Sequence, residues 1–430
     1  MKIVFLNLQN DKNRIIILNL LVFFIFETLF ISLRTLVIGS EASSSTFAFF
    51  ISSLPDILMF YLLILVVLKN KEKLKYSFFT IYDKLILLYI ITNILLGTFL
   101  AHNLIVSLYA IRMTYYPMLF YFVARVGFNT NEKSFDDCSK YLVNWYLIVS
   151  VIGLIIYFFF PAIDKYMTLE ATGIEGVYYI KRIGSLYWSP VIFGAFTTFG
   201  AIYIYFKILQ KETISRYIIY SVFWCCIFLT VSRGANITFY LGWIILTIVT
   251  KKYLCFLKTL LSMMVVFFIL WIQNHDMYKV LFFIGDSTVD TVFLKKGLTR
   301  VDLWLAAFND FVRNPMGYGL GKAGHVAVRF FGSFSKEAAT YSTDGWYLKL
   351  ANETGVWGLV SYATISLTFL INSIKFLKAN KNTFLMFMFI LFIMIAAQNV
   401  VSNILDFYSF SCLYWLLIGF SQNILINGRS

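Results

Sequence analysis

Four arginines of this chain lie within or beside long apolar stretches, where a charged side chain is costly to maintain. Arg112 lies within such a stretch, and Arg182 and Arg233 lie next to others. Arg300 begins a more polar, amphipathic segment. Arginine carries a planar, permanently charged guanidinium that binds phosphate oxygens through two parallel hydrogen bonds. If these side chains meet on one side of a membrane, they form a site that suits a lipid pyrophosphate headgroup.

Two acidic residues supply the other type of group that a transferase needs. Asp344 comes just before a long apolar stretch, and Glu353 lies within that stretch. A transferase with a pyrophosphate leaving group needs cations for the developing charge and a base for the proton of the acceptor hydroxyl. Asp344 is the predicted base, although an aspartate here is also explained as the N-cap of the following helix. Glu353 is costly in contact with lipid, so we predict that it points into the protein interior.

The composition requires that most of the chain lies in a lipid bilayer. Of the 430 residues, 60% are hydrophobic and only 13% are charged, whereas a soluble domain is about half apolar and about a quarter charged. The net charge of +14 lies in short loops between apolar stretches, which indicates membrane orientation rather than binding to nucleic acid. The histidines lack the spacing of metal ligands, so no metal site and no other cofactor are expected.

Apolar stretches of about 20 residues predict an all-α integral membrane protein with about twelve transmembrane helices. Lysines and arginines are concentrated in alternate loops, which places both termini in the cytoplasm. The whole chain, 1–430, is predicted to be one multi-pass membrane domain. The predicted spans are residues 15–33, 46–68, 84–102, 104–126, 142–160, 186–206, 216–232, 235–250, 254–272, 346–370, 383–402 and 404–426.

A long polar segment, 273–345, separates the ninth predicted span from the tenth and is expected to lie outside the cytoplasm. Within this loop, residues 299–313 have the periodicity of an amphipathic helix. That helix is expected to end at Asn314 and Pro315, before a glycine-rich turn. Elsewhere, Ser189 and Pro190 predict a helix start, with serine as the cap and proline in the first turn.

The spacing of these features resembles the O-antigen polymerase and O-antigen ligase superfamily of bacterial membrane proteins. The resemblance covers residues 110–370 and includes the apolar stretch that carries Arg112 and the segment 182–194. Its most specific part is the glycine turn together with the GVWG sequence. The matching stretches are Ser232-Arg233-Gly234, Arg300 with Trp304, residues 314–321 (NPMGYGLG), and Asp344 followed by Gly355 and Gly358.

This resemblance implies a GT-C-like fold and a glycosyltransferase of the bacterial inner membrane that needs neither a metal nor a nucleotide sugar. The implied substrate is an oligosaccharide linked to undecaprenyl pyrophosphate and bound on the periplasmic face. A protein that regulates chain length would be a further partner. Polymerases of the superfamily transfer a growing glycan to the next lipid-linked repeat unit, whereas ligases transfer the finished chain to lipid A-core.

One departure from the family pattern favours a polymerase. Ligases carry a His followed by an Asn just before the last long span, whereas this chain has Asp344 and Gly345 there. His325 lies too far upstream to fill that position. The resulting hypothesis is that Arg233 and Arg300 hold the pyrophosphate and that Asp344 acts on the acceptor hydroxyl. The other residues predicted to bind substrate are Arg112, Arg182, His325 and Glu353.

Two alternatives stay open. An O-antigen ligase belongs to the same class of enzyme and shares the predicted site. A polysaccharide flippase or other transporter belongs to a different class, and many spans with charges inside the membrane also fit it. The long outside loop and the lack of two related halves argue against a transporter.

Overall fold

The computed structural model describes residues 12–38, 46–71, 79–101, 103–128, 132–160, 162–163, 182–273, 300–331, 345–380 and 382–427. The regular structure of these ranges is helical throughout, without a β-strand, as predicted. The helices are α1 Lys12–Ile38, α2 Thr46–Lys69, α3 Ile81–Leu100, α4 Leu104–Thr114, α5 Leu119–Gly127, α6 Glu132–Phe159, α7 Pro190–Gln210, α8 Ile214–Leu229, α9 Arg233–Thr250, α10 Tyr253–Gln273, α11 Arg300–Arg313, α12 Gly324–Phe331, α13 Trp346–Ala379, α14 Thr383–Val401 and α15 Tyr408–Asn427.

Eight helices in the described ranges are long and apolar enough to cross a membrane. They lie in α1, α3, α6, α7, α10, α13, α14 and α15. The remaining predicted spans correspond to α2, to α4 with α5, to α8 and to α9. The chain is therefore built as a multi-pass membrane protein, and the total of about twelve spans stays a prediction.

The prediction of one continuous helix over 104–126 was wrong. α4 ends at Thr114, a 3-10 turn covers Tyr116–Met118, and α5 begins at Leu119. Pro117 explains the break, because proline has no N–H to donate and its ring clashes with the preceding turn. Arg112 consequently lies in the last turn of α4 rather than in the middle of a helix.

The predicted start of α7 is confirmed. The Ser189 side chain accepts a hydrogen bond from the backbone N–H of Ile192, and Pro190 is the first helical residue. The last predicted span, 404–426, starts later than expected, because a 3-10 turn over Ile404–Asp406 precedes α15. Local capping chemistry thus explains where α7 begins.

Burial separates central helices from lipid-facing ones. Of the apolar window in each helix, 94% is buried in α15 and 83% in α7, against 22% in α10. α15 packs along α5, and α7 packs against α8 and α9. On α10, Leu257, Leu261 and Val265 are more than half exposed. Because α10 is long and apolar enough to cross a membrane, we expect this exposed apolar face to contact lipid.

The amphipathic helix predicted within the long loop is present as α11, and it packs against α13. Ala307 is fully buried in this contact, and its carbonyl oxygen accepts a hydrogen bond from the Asn352 amide at 3.0 Å. Burial raises the pKa of the Asp310 carboxyl, and the nearby Arg313 opposes that rise. The extent of the loop itself, 273–345, lies largely outside the described residues.

The segment 314–321, which follows α11 and which we call the glycine segment, packs against a kink in α13. Gly355 interrupts the helix with φ 65° and ψ −154°. The carbonyl oxygens of Asn352 and Glu353 instead accept hydrogen bonds from the N–H groups of Tyr318 at 2.7 Å and Gly319 at 3.0 Å. Val356 N donates to the carbonyl oxygen of Pro315 at 2.9 Å. The segment therefore replaces helical hydrogen bonds that the kink removes.

Glycine is required on both sides of this contact. A Cβ on Gly355 would overlap the carbonyl oxygen of Pro315, and a Cβ on Gly319 would lie 2.5 Å from the backbone of Ala101. Both residues also have positive φ, which side chains with a Cβ rarely adopt. The glycine pattern noted in the sequence thus serves close backbone contact.

We expect Gly355→Ala to detach the glycine segment from α13 and to lower stability by roughly 3 kcal/mol or more, through backbone strain and lost hydrogen bonds. Thermal unfolding of the purified protein in detergent measures this change. Gly234→Ala is the matched control, because a Cβ there meets only Gln398 atoms at 3.4 Å or more. Equal melting temperatures for the two variants would contradict this account of the kink.

Candidate functional site

Arg182 and Arg233 lie beside the same tight turn between α8 and α9, Thr230–Ser232, which we call the arginine turn. The Arg182 Nε donates to the carbonyl oxygen of Thr230 at 2.9 Å. Arg233 is the first residue of α9, whose N-cap Ser232 accepts from the N–H of Ala235. The structure therefore brings together two of the four arginines predicted from the sequence.

The turn lies at what we call the loop end of the bundle, the end at which α9 and α13 begin and α14 ends. Helices α9 and α14 pack against each other, with Gln398 of α14 beside Gly234. Near the same end of α14, the Asn403 Oδ1 accepts a hydrogen bond from Gly345 N at 2.9 Å. The end of α14 thus connects the arginine turn with the start of α13.

The side chains of two predicted catalytic residues, Asp344 and Arg300, are not among those that the structure describes. Asp344 lies outside the described residues, but its neighbour Gly345 is the N-cap of α13. The aspartate therefore precedes the cap position by one residue, and the reading of Asp344 as the N-cap was wrong. Arg300 is the first residue of α11, and its side chain is not among those described. Their roles in the site stay predictions.

A buried charge cluster lies one turn inside the start of α13. The Lys349 ammonium group is fully buried and pairs with the Asp406 carboxylate, which belongs to the 3-10 turn before α15. It lies 3.8 Å from the Glu353 carboxylate and donates to the Thr114 hydroxyl at 2.9 Å. Its Nζ is also 5.0 Å from the centre of the Trp346 ring. One cation thus stabilises two buried carboxylates from separate elements.

The same two carboxylates hold the segment after the glycine turn. The Glu353 Oε1 accepts from the N–H of Gly321 at 2.9 Å, and the Asp406 Oδ2 accepts from the N–H of His325 at 3.3 Å. Glu353 therefore points into the protein interior, as predicted. His325 is the second residue of α12 and has an exposed side chain, whose ring centre lies 4.9 Å from that of Phe407. The cluster fixes the path of the chain into α12.

Arg112 forms an ion pair with Asp56 of α2. Its Nε donates to the Asp56 carboxylate of α2 at 2.6 Å, and its guanidinium lies 6.0 Å from the Tyr408 ring centre. The carboxyl of Glu27 from α1 is buried nearby, close enough to interact with the charges of Arg112 and Asp56. A role for Arg112 in substrate binding stays a prediction.

A second buried ion pair lies toward the opposite end of the bundle. Arg125 of α5 donates to both carboxylate oxygens of Asp83 in α3, at 2.8 and 2.9 Å, and also to the Asn423 amide oxygen in α15. All three side chains are buried. This pair has the geometry of a structural contact, because bidentate hydrogen bonding satisfies the buried guanidinium.

Sequence reasoning missed Lys349 and Asp406. A signal for the lysine was present, because Lys349 and Glu353 are four residues apart in an apolar stretch and thus share one helix face. No local pattern identifies Asp406 as the partner, since the pair joins positions that are distant in sequence. The buried pair of Asp83 and Arg125 was missed for the same reason.

The arrangement separates two kinds of charge at the loop end. Arg182 and Arg233 border one turn, where guanidinium groups suit a phosphate-bearing ligand. The cluster around Lys349 is enclosed in the protein, where two carboxylates share one cation. The first pair is therefore a candidate for substrate binding, and the second holds the loop end in place.

Part of the chain matches a known protein family. Residues 218–363 match the family model described as O-antigen ligase, which confirms the resemblance to the O-antigen polymerase and ligase superfamily. The matched region contains the arginine turn, α11, the glycine segment and the first turns of α13. No curated protein matches the chain. The match supports this resemblance over residues 218–363 of the chain.

We expect Lys349→Met to lower stability by about 3–5 kcal/mol, because two buried carboxylates would lose their shared cation. The double variant Lys349→Met/Asp406→Asn should recover part of this loss. Thermal unfolding in detergent is the measurement. The matched control is Lys258→Met, whose partner Glu212 and own side chain are both exposed, so its loss of stability should be much smaller because solvent screens the pair. Equal losses for both lysines would contradict the proposed importance of the buried cluster.

Proposed function

We propose that this protein is a polymerase of O-antigen or related surface polysaccharide. It would transfer a growing glycan from undecaprenyl pyrophosphate to the next lipid-linked repeat unit. The observation that carries the proposal is that Arg182 and Arg233 both lie beside the turn Thr230–Ser232. This turn belongs to the region that matches the family model. Guanidinium groups at a membrane surface suit a lipid pyrophosphate, and no metal or nucleotide sugar is needed.

The proposed topology places the loop end in the periplasm and both termini in the cytoplasm. About twelve spans in a GT-C-like arrangement of the inner membrane would produce it. The distribution of lysines in alternate loops supports this orientation. The loop 273–345 would then cover the periplasmic face, where a lipid-linked oligosaccharide presents its pyrophosphate. A protein that regulates chain length is the further partner expected.

In the proposed reaction, the acceptor hydroxyl oxygen forms a bond with the anomeric carbon of the donor glycan. The bond between that carbon and the pyrophosphate oxygen breaks, and undecaprenyl pyrophosphate leaves. Arg233 and Arg300 would stabilise the charge on the leaving group, and Arg182 would assist them. Asp344 would orient the acceptor hydroxyl or take its proton. Glu353 would act through the backbone it holds, and His325 and Arg112 are further predicted contacts.

An O-antigen ligase is the second candidate, because the matching family model carries that description. The polymerase is favoured because the positions where ligases carry a His followed by an Asn hold Asp344 and Gly345 in this chain. The φ of 143° at Gly345 is rarely adopted by residues with a Cβ, and a Cβ there would lie 2.9 Å from the Val400 carbonyl oxygen. The asparagine that ligases carry at this position does not fit this backbone. A flippase is the alternative of another class, and the family match argues against it.

Deletion of the gene in the native host tests the proposal. We expect surface glycan on a gel to shrink to a single repeat unit on core, because addition of further units would stop. Long chains retained on the lipid carrier, with bare core, would instead identify a ligase. Lipid-linked units trapped on the cytoplasmic face would identify a flippase, and the assignment of the arginines would fall with it.

Substitution of Arg233 tests the site. We expect Arg233→Ala to slow transfer by about a hundredfold or more, which shortens the glycan at equal protein level. Arg233→Lys should restore little, because lysine lacks the planar guanidinium. Arg313→Ala is the matched control, since Arg313 is 79% exposed and pairs only loosely with Asp310. Full-length glycan in the Arg233→Ala strain would remove Arg233 from the site.

A further inference from the structure

Two consecutive amide side chains, Gln398 and Asn399, are buried near the end of α14. Gln398 is 3% exposed and Asn399 is fully buried. Within the described part of the chain, the Gln398 Nε2 and both amide atoms of Asn399 have no hydrogen-bond partner. The indole N–H of Trp346, the first residue of α13, is also buried without one in these ranges. Because buried polar groups are nearly always paired, this cluster calls for a ligand or another specific explanation.

Gln398 faces the arginine turn. Its Nε2 would lie 3.4 Å from a Cβ on Gly234, the residue after Arg233. Met394, one helical turn earlier on α14, approaches Gly242 of the same neighbour, α9. Residues four apart share a helix face, so this face of α14 is directed at α9. The Gln398 amide is therefore next to the proposed pyrophosphate site.

Asn399 lies on an adjacent face of α14, which is directed at α13 and α15. Phe392, two turns earlier, packs against Phe369 of α13 at 4.8 Å and Tyr414 of α15 at 6.1 Å between ring centres. One turn after Asn399, Asn403 holds the N–H of Gly345. The two amides thus lie between the arginine turn and the residue that follows Asp344.

Other amides at this end of the bundle have the partners that a structural role provides. The Asn236 Nδ2 donates to the carbonyl oxygens of Ser232 and Ile227. The Asn352 Nδ2 donates to the carbonyl oxygens of Ala307 and Leu348. By contrast, the Asn399 amide has no such partner among the described residues.

We propose that Gln398 and Asn399 form a sugar subsite, which binds hydroxyl or acetamido groups of the residue attached to the lipid pyrophosphate. Asn399 offers both a donor and an acceptor, and a hydroxyl or acetamido group satisfies both. A phosphate offers only acceptors at neutral pH and would leave the Asn399 Oδ1 unpaired. The subsite would therefore recognise the sugar, whereas the arginines would bind the phosphate groups. This inference rests on the proposed function and adds the residues that recognise the glycan.

The test compares two lipids that differ in the sugar alone. The full-length protein in nanodiscs is titrated with undecaprenyl pyrophosphate and with the lipid-linked repeat unit extracted from the native host. Asn399→Leu should weaken binding of the lipid-linked repeat unit about tenfold, as expected for lost hydrogen bonds, and leave binding of undecaprenyl pyrophosphate unchanged. Arg233→Gln should weaken binding of both lipids.

Gln422→Leu is the matched control. Gln422 is a buried amide near the C-terminal end of α15, far from the loop end where α15 begins. Its Nε2 also lacks a partner among the described residues. This variant should bind both lipids as the unmodified protein does. The melting temperature without lipid separates binding from structure, because removal of an unpaired buried amide should maintain or raise it.

Three results would overturn the inference. One is unchanged binding of the lipid-linked repeat unit by Asn399→Leu. Another is an equal loss for both lipids accompanied by a lower melting temperature, which would indicate a structural role for the amide. If the unmodified protein binds neither lipid, the proposed function fails as well. If it binds both and only the Asn399 effect is missing, the sugar subsite alone is rejected.

Discussion

The ammonium group of Lys349 is the contact on which the loop end of the bundle depends. A buried charge is tolerated only where opposite charges and hydrogen bonds surround it. Here the partners come from α13, from α4 and from the turn before α15. The carboxylates that satisfy the lysine also accept hydrogen bonds from the backbone of the segment that leads into α12. A single desolvated cation thus fixes four parts of the chain relative to one another.

The kink at Gly355 extends this arrangement. Where α13 loses its own hydrogen bonds, the glycine segment supplies replacements from Tyr318 and Gly319. The start of α13 is therefore held from two sides, by the buried charges and by the backbone of the segment. The proposed base, Asp344, directly precedes this fixed start. A site on such a support keeps its geometry better than one on an isolated loop.

Local patterns in the sequence predicted most of the fold. Helical content, the serine and proline at the start of α7, and the amphipathic α11 all follow from rules that span a few residues. The break at Pro117 also has a local cause, but the strong apolar pattern around it masked the proline. Contacts between distant positions were not predictable, and these include Asp406 as a partner of Lys349 and the partners of Arg112 and Arg125. Asn399 has no hydrogen-bond partner among the described residues, and this depends on every neighbouring side chain, so it becomes visible only in the folded structure.

The buried ion pairs also bear on how the chain enters the membrane during synthesis. Asp83 and Arg125 lie in helices made early, so their charges neutralise each other long before Asn423 emerges from the ribosome. Lys349 has Glu353 on its own helix and therefore crosses the translocon with a counter-ion one turn away. Asp406 arrives later and completes the cluster. Each strongly buried cation of these two sites thus has an early partner, and the last part of the chain adds Asp406 and Asn423 as further partners.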